Sequence, residues 1–217
     1  MIVHTQAIVL NHIRYGESSL IVHLYTERLG RQTVFVKGAF SKKSQMKAAL
    51  FQPMYVVETD IHYRDNRQIQ RISNIRLLQA FHNILLNPMK SGIALFIAEV
   101  LTKTLREEEA NSELFDFLTQ SIHALNLMEK GIANFHLIFL VHLTRYLGFY
   151  PNLEEFSGSM PAFFTQLIHL SFEGLENMEI NHLQRNQILE YILAYYALHV
   201  ENFGKMKSFT VLQHVFS

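Results

Sequence analysis

The chain has 217 residues, nineteen Lys and Arg against nineteen Asp and Glu, a formal charge of zero and 49% hydrophobic residues. That apolar content supports a packed core and excludes wholesale disorder, and the length suffices for one large domain or two small ones. With no cysteine, disulfides and thiolate metal sites are excluded, which suits a reducing compartment.

The opening "MIVHTQAIVL" has neither a basic n-region nor a long apolar h-region, so no signal peptide is expected. The first seventy-eight residues read as strands. "QAIVLNHIRY", "SSLIVHLYT", "RQTVFVKG", "PMYVVETDIHY" and "RQIQRISNIRL" are rich in Val, Ile, Thr, Tyr and Phe. Turn signals separate them at Tyr15-Gly16-Glu17, Leu29-Gly30-Arg31 and Arg64-Asp65-Asn66-Arg67. In the second strand Leu20, Val22 and Leu24 alternate with Ile21, His23 and Tyr25, the period of a half-buried strand. Five short strands with one longer connection after the third suit a small barrel. An OB-type barrel leads because of its five strands, and an SH3-like barrel is the rival that strand count does not remove.

From about residue 79 the period becomes helical. Helices are expected over 79–86, 91–108, 112–130, 162–170 and 207–215. Ile132, Phe135, Phe139, Leu143 and Tyr146 form a further stripe, stopped by Gly148 and Pro151. Leu189, Leu193, Tyr196, Val200 and Phe203 form another, opened by Asn181 with Gln184 in capping-box spacing and closed by Gly204. The segment "FHLIFLVHLTRYLGF" is too short and too interrupted by His136, His142 and Arg145 to span a bilayer. The fold class is therefore β followed by all-α: an OB-type barrel over residues 1–78 and a helical bundle over 79–217, with no membrane partner and a cytoplasmic location.

The zero net charge hides a split. Residues 1–78 carry eleven Lys and Arg against five acids, a balance of +6, and residues 79–217 carry eight against fourteen, a balance of −6. Between Glu27 and Glu58 lie thirty residues without an acid, bearing Arg28, Arg31, Lys37, Lys42, Lys43 and Lys47. The stretch "KGAFSKKSQMKAALF" concentrates the lysines, and Tyr15, Tyr25, Phe35 and Phe40 lie in or beside it. Cations tracking phosphates, with rings on which bases stack, is how OB folds hold single strands. The competing reading has Tyr25 and Phe35 inside the barrel and the lysines merely solvating a loop, and Phe40 discriminates because a polar loop gives an aromatic ring no evident structural role. Six cations on a single strand would give log K against log salt a slope of roughly −4, or between two and three decades of affinity from 50 to 200 mM salt. Such binding ignores base order.

Catalytic and metal signatures are absent from the sequence. Twelve histidines contain no HExxH, no GxxxxGK[ST] or GxGxxG occurs, and the acids of "REEEANSE" read as a solvated helix end. No catalytic residue, metal or cofactor is expected.

The stretch "AIVLNHIRYGESSLIVHLYTERLGRQTVFVKGAFSKKS", followed by "LFQP", resembles the amino-terminal domain of the RecO family of bacterial recombination mediators. The features that carry it are Arg14-Tyr15-Gly16-Glu17, Thr26, Gly30, Lys37-Gly38-Ala39, Ser41-Lys42-Lys43-Ser44 and Leu50 to Pro53. Near the end, His199 through Phe203-Gly204 to Lys207-Ser208 is similar to a helix junction of that family. Some RecO-like proteins carry a four-cysteine zinc site after a segment similar to "RYLGFYPNL". Here "EEFSGSMP" stands in that place without cysteine, so no zinc is carried over, and Phe149, Tyr150, Leu153 and Phe156 are expected to hold the connection by packing.

The resemblance implies a non-enzymatic, nucleoid-associated protein. It would bind single- and double-stranded DNA, anneal complementary strands, contact the acidic carboxy-terminal tail of the single-strand-binding protein SSB, and act with RecR to load RecA. Arg14, Arg31, Lys37, Lys42, Lys43 and Lys47 are the expected phosphate contacts, with Phe40 stacking on bases. Arg145, Arg185, Lys205 and Lys207, the scarce cations near aromatic-rich helices, are the expected contacts for the SSB tail. Two other classes stay open on the residues alone: an OB-fold RNA-binding or RNA-chaperone factor, and an enzyme whose active site lies in the helical half.

Overall fold

The computed structural model describes residues 1–41, 48–79, 81–106, 109–151 and 162–216. Five strands, β1 (Ile2–Tyr15), β2 (Ser19–Thr26), β3 (Gly30–Val36), β4 (Val56–His62) and β5 (Gln70–Gln79), close into a barrel in the order β1-β2-β3-β5-β4. Three sequential pairings, β1 with β2, β2 with β3 and β4 with β5, are antiparallel, as is the return of β4 beside β1. Closure comes from β5 lying parallel to β3 through Val34–Gln70 and Phe35–Arg71. This Greek-key closure is the OB arrangement, which strand count alone left undecided.

The alternation read in the sequence explains the barrel's interior. Leu20, Val22, Leu24, Val34 and Val36 pack inward with Val57, Ile61, Ile72 and Ile75, because side chains on a strand alternate between faces. The connection after β3 forms a short 3-10 turn, Ala48–Phe51, that drives Phe51 fully into this core. The His12 ring bonds the Phe51 carbonyl at 2.8 Å and ties the turn to β1. Replacing Phe51 with Ala would remove one of the largest buried side chains, a loss of about 3–5 kcal/mol. β1 starts four residues before the expected "QAIVLNHIRY" because its first half pairs with β4 and its second half with β2, across a register shift between Val9 and Asn11.

Seven α-helices follow among the described residues: α1 (His82–Leu86), α2 (Pro88–Thr104), α3 (Ser112–Leu127), α4 (Phe135–Tyr146), α5 (Ala162–His169), α6 (His182–His199) and α7 (Ser208–Val215). Among the described residues no helix is long and apolar enough to cross a membrane. The chain divides into two compact units, one comprising Met1–His82 and Ile97–Ile122, the other Asn83–Phe96 and His123–Ser217. The barrel unit thus takes in the second part of α2 and most of α3.

In the helical unit α4 is the central element, buried from Phe135 through Val141 and again at Leu143 and Thr144. Phe135 stacks on Phe172 with centroids 4.6 Å apart, and the Tyr196 hydroxyl donates to the Leu140 carbonyl at 2.7 Å. The expected capping box forms at α6: the Asn181 side chain accepts from Gln184 N–H while the Gln184 side chain accepts from Asn181 N–H, both at 2.9 Å. The expected stripe along α6 is displaced. Its buried face is Ile188, Leu189, Ile192, Tyr195 and Tyr196, and the helix ends at His199 rather than near Phe203. Val200 is already extended there, and Asn202 and Gly204 turn with positive φ, so Phe203 is buried from a turn and not from the helix. Gly131 (φ 70) cannot carry a side chain, since a Cβ there would stand 2.6 Å from the Leu175 carbonyl oxygen.

Candidate nucleic-acid interface

The strand register lines up one row of side chains that winds across the outside of the barrel, from one end of β1 to the other. Ile13 pairs with Ile21, Ile21 with Phe35, Phe35 with Arg71, Arg71 with His62, and His62 with Ile2. Directly paired residues point to the same face, and every member of this row is exposed or half-buried while its neighbours Leu20, Val34, Val36 and Ile72 fill the core. Phe35 therefore points outward.

Tyr15, Lys37 and Phe40 extend this surface beyond Ile13 and Phe35. Tyr15 meets Phe35 edge-on at 5.8 Å. The Arg14 guanidinium lies 4.9 Å from the centre of the Phe40 ring and donates to the Glu17 carbonyl at 2.9 Å. Phe40 is held in place by its own N–H, which donates to the Ser18 carbonyl at 3.1 Å. Gly16 (φ 62) and Gly38 (φ 69) supply the left-handed turns that let these two loops meet. Ile13, Tyr15 and Phe40 stay 57%, 58% and 46% exposed, so this end presents apolar and aromatic surface beside the cations Arg14 and Lys37. Surface aromatics normally bury their rings; an exposed set flanked by arginine and lysine suits a stacked base with its phosphate.

The same outer face is covered further along the strands. Tyr25 stacks on Phe115 of α3 with centroids 6.4 Å apart, and Asn11 donates to the Thr102 hydroxyl at 3.2 Å. Tyr25 is thus neither inside the barrel nor available to a ligand. Arg31, expected as a phosphate contact, is half-buried and engaged by backbone carbonyls. Its guanidinium donates to the Thr102 carbonyl at 2.9 Å and to the Leu105 carbonyl, closing the end of α2. Burial, with Arg106 nearby, lowers its pKa from the ordinary arginine value. Burial beside Arg31 likewise lowers that of His23, which bonds the Thr33 hydroxyl at 3.0 Å. These carbonyl partners explain why α2 stops at Thr104 rather than running on to residue 108.

Of the seven residues expected to contact DNA, the structure brings Arg14 and Phe40 together, sets Lys37 exposed in the same turn as Phe40, and engages Arg31 with the Thr102 and Leu105 carbonyls. Lys42, Lys43 and Lys47 lie outside the described residues. Sequence reasoning missed Arg71, which the β3–β5 pairing sets beside Phe35, and Arg64 and Arg67 in the turn preceding it. Arg76, by contrast, is neutralised by Glu58 at 2.6 Å. That carboxylate is held below the usual range by the Arg76 bond, helped by His4, whose own pKa is raised chiefly by its hydrogen bond to Asp60.

The family described as Recombination protein O N terminal matches residues 1–81, and that described as Recombination protein O C terminal matches residues 85–163. The chain is similar over its whole length to proteins named DNA repair protein RecO. It is 36% identical to that of Bacteroides fragilis over 241 aligned positions, 36% to that of Flavobacterium psychrophilum over 239, and 34% to that of Christiangramia forsetii over 239. In each case all of both chains is covered. The chain belongs to the RecO family.

In this RecO-family chain the four cations expected to meet a partner's tail are not equivalent. Arg185 is engaged, donating to the Asn134 side chain at 2.8 Å and to the Ile180 carbonyl at 3.3 Å, with Phe216 under its plane. Arg145 lies over the Tyr150 ring at 4.8 Å yet is exposed, and Lys205 and Lys207 are exposed before α7. Phe149 stacks on His199 at 4.9 Å and Tyr150 donates to the Ile168 carbonyl at 3.4 Å, so both pack as expected. Leu153 and Phe156 lie outside the described residues. Among the described residues no three His, Asp or Glu side chains gather as a metal site would require.

Proposed function

We propose that this protein is a non-enzymatic DNA repair and recombination mediator. It binds single- and double-stranded DNA without regard to sequence, anneals complementary strands, and with RecR helps RecA load onto strands coated by SSB, in the cytoplasm at the nucleoid. The observation that carries this reading is the Arg14–Phe40 stack, with Tyr15 against Phe35 and Lys37 in the Phe40 turn, on barrel surface that stays exposed among the described residues. Lys42, Lys43 and Lys47, which follow in the chain, are proposed as further phosphate contacts. Holding two strands on one cationic surface reduces the repulsion that slows their encounter. Contact with the acidic SSB tail falls to Arg145, Lys205 and Lys207 of the helical unit, while Arg185 serves the fold.

The test is annealing of two complementary 50-nucleotide strands labelled for energy transfer. An Arg14→Ala/Lys37→Ala/Phe40→Ala variant, with unchanged far-ultraviolet dichroism, should anneal at least tenfold more slowly than wild type. Equal rates would remove this end of the barrel from the function. Faster annealing of RNA than DNA would favour an RNA chaperone instead.

A further inference from the structure

The turn between β4 and β5 carries Arg64 and Arg67, and β5 begins with Gln70 and Arg71. Gln70 is buried, with 2% of its surface exposed, although a strand's first residue beside a polar turn has no packing reason to be a glutamine. Its side chain is fully occupied by that turn. Nε2 donates to the carbonyls of Arg64 at 2.9 Å and Arg67 at 2.8 Å, while Oε1 accepts from the Arg64 N–H at 3.1 Å. Arg67 N–H closes the turn on the Arg64 carbonyl at 3.1 Å. One buried amide therefore fixes the backbone from which two arginines project. Buried polar groups that satisfy all their bonds rigidify what they touch.

The three side chains so presented are exposed, and among the described residues none of Arg64, Arg67 and Arg71 forms an ion pair. Arg76, farther along β5, shows the alternative, where a cation on the same strand is cancelled by Glu58. Asp65 is the one acid within the turn. Arg71 lies beside Phe35, and Phe35 touches Tyr15. The outer surface thus runs from Arg71 through Phe35 and Tyr15 to the loop that carries Lys37 and Phe40. A strand whose bases lie on the rings would have cations at both ends of its path.

We infer that the β4–β5 turn is a second backbone-binding arm for single-stranded DNA, with Arg64, Arg67 and Arg71 on phosphates and Gln70 as its positioning residue. This rests on the proposed DNA-binding reading of the barrel end. The occupant is a single strand because only unpaired bases can reach Tyr15, Phe35 and Phe40 while the phosphates run between the two cation sets.

The experiment is fluorescence anisotropy of a fluorescein-labelled 25-nucleotide oligo(dT) across 50 to 200 mM salt. An Arg64→Ala/Arg67→Ala/Arg71→Ala variant should bind more weakly with a slope shallower by about 2, so that the wild type's advantage shrinks about 16-fold across that range. Gln70→Ala, which changes no charge, should weaken binding in the wild-type background and add nothing in the triple-alanine background. A purely structural role for Gln70 would weaken both backgrounds alike or neither, and would overturn its assignment. Arg14→Ala/Lys37→Ala serves as the reference. If it weakens binding and the triple variant does not, the arm is overturned while the DNA-binding reading stands. If neither variant weakens binding, both fall. Tighter binding of oligo(U) than of oligo(dT) would overturn DNA as the occupant.

Discussion

His136 is fully buried on α4 between Phe96 and Phe216, with ring centroids 5.9 and 5.8 Å away, and neither ring nitrogen has a hydrogen-bond partner among the described residues. Burial, with Arg185 nearby, lowers its pKa from 6.5 to about 3. The folded protein therefore holds this imidazole neutral where the unfolded chain would protonate it. Stability is fully present above pH 6.5 and falls as pH drops from there towards 3, at about 1.4 kcal/mol per pH unit. At pH 5 the loss is about 2 kcal/mol relative to pH 7.5. His142 is shifted in the same direction, chiefly by burial, and adds to the effect. Urea midpoints measured from pH 7.5 to 5 should fall, and His136→Leu should flatten that fall while keeping the fold. An unchanged pH dependence in His136→Leu would show that the ring is not the titrating group.

At the scale of elements, Arg31 separates fold from function. It holds the Thr102 and Leu105 carbonyls at the end of α2, a region where cations are favoured by the helix dipole. Arg31→Ala should cost about 2–3 kcal/mol, since hydrogen bonds from a charged donor would be lost and two carbonyls left bare. Its DNA affinity at 25 °C should stay within about threefold of wild type. Thermal melting and anisotropy on the same samples check both halves, and a large affinity loss without a stability loss would return Arg31 to the phosphate contacts. The sequence shows Arg31 as a charge in an acid-free run; its carbonyl partners lie seventy-odd residues away and no local pattern announces them. For the same reason no local pattern singles out Arg71, because its place beside Phe35 comes from the parallel β3–β5 pairing. What was legible was local. The alternation of Leu20, Val22 and Leu24 marked β2, and Asn181 with Gln184 marked the start of α6. The end of α6 was not, since Tyr196, Val200 and Phe203 keep helical spacing although the backbone has already turned.

Across the whole molecule charge is split between the two parts of the chain. Residues 1–78 hold the excess of cations, and the barrel end leaves Arg14, Lys37, Arg64, Arg67 and Arg71 exposed around aromatic surface. The remaining residues are acidic in balance, which under the proposed function would steer DNA toward the barrel. The most direct test of that division is amide hydrogen exchange of the full chain with and without a saturating 25-nucleotide oligo(dT). Exchange should slow in three turns, Gly16–Ser18, Lys37–Ser41 and Tyr63–Ile69, with little change from Asn83 to Phe96 and from His123 onward. Slowing confined to the helical unit, with those three turns unaltered, would contradict the barrel end as the DNA-binding surface.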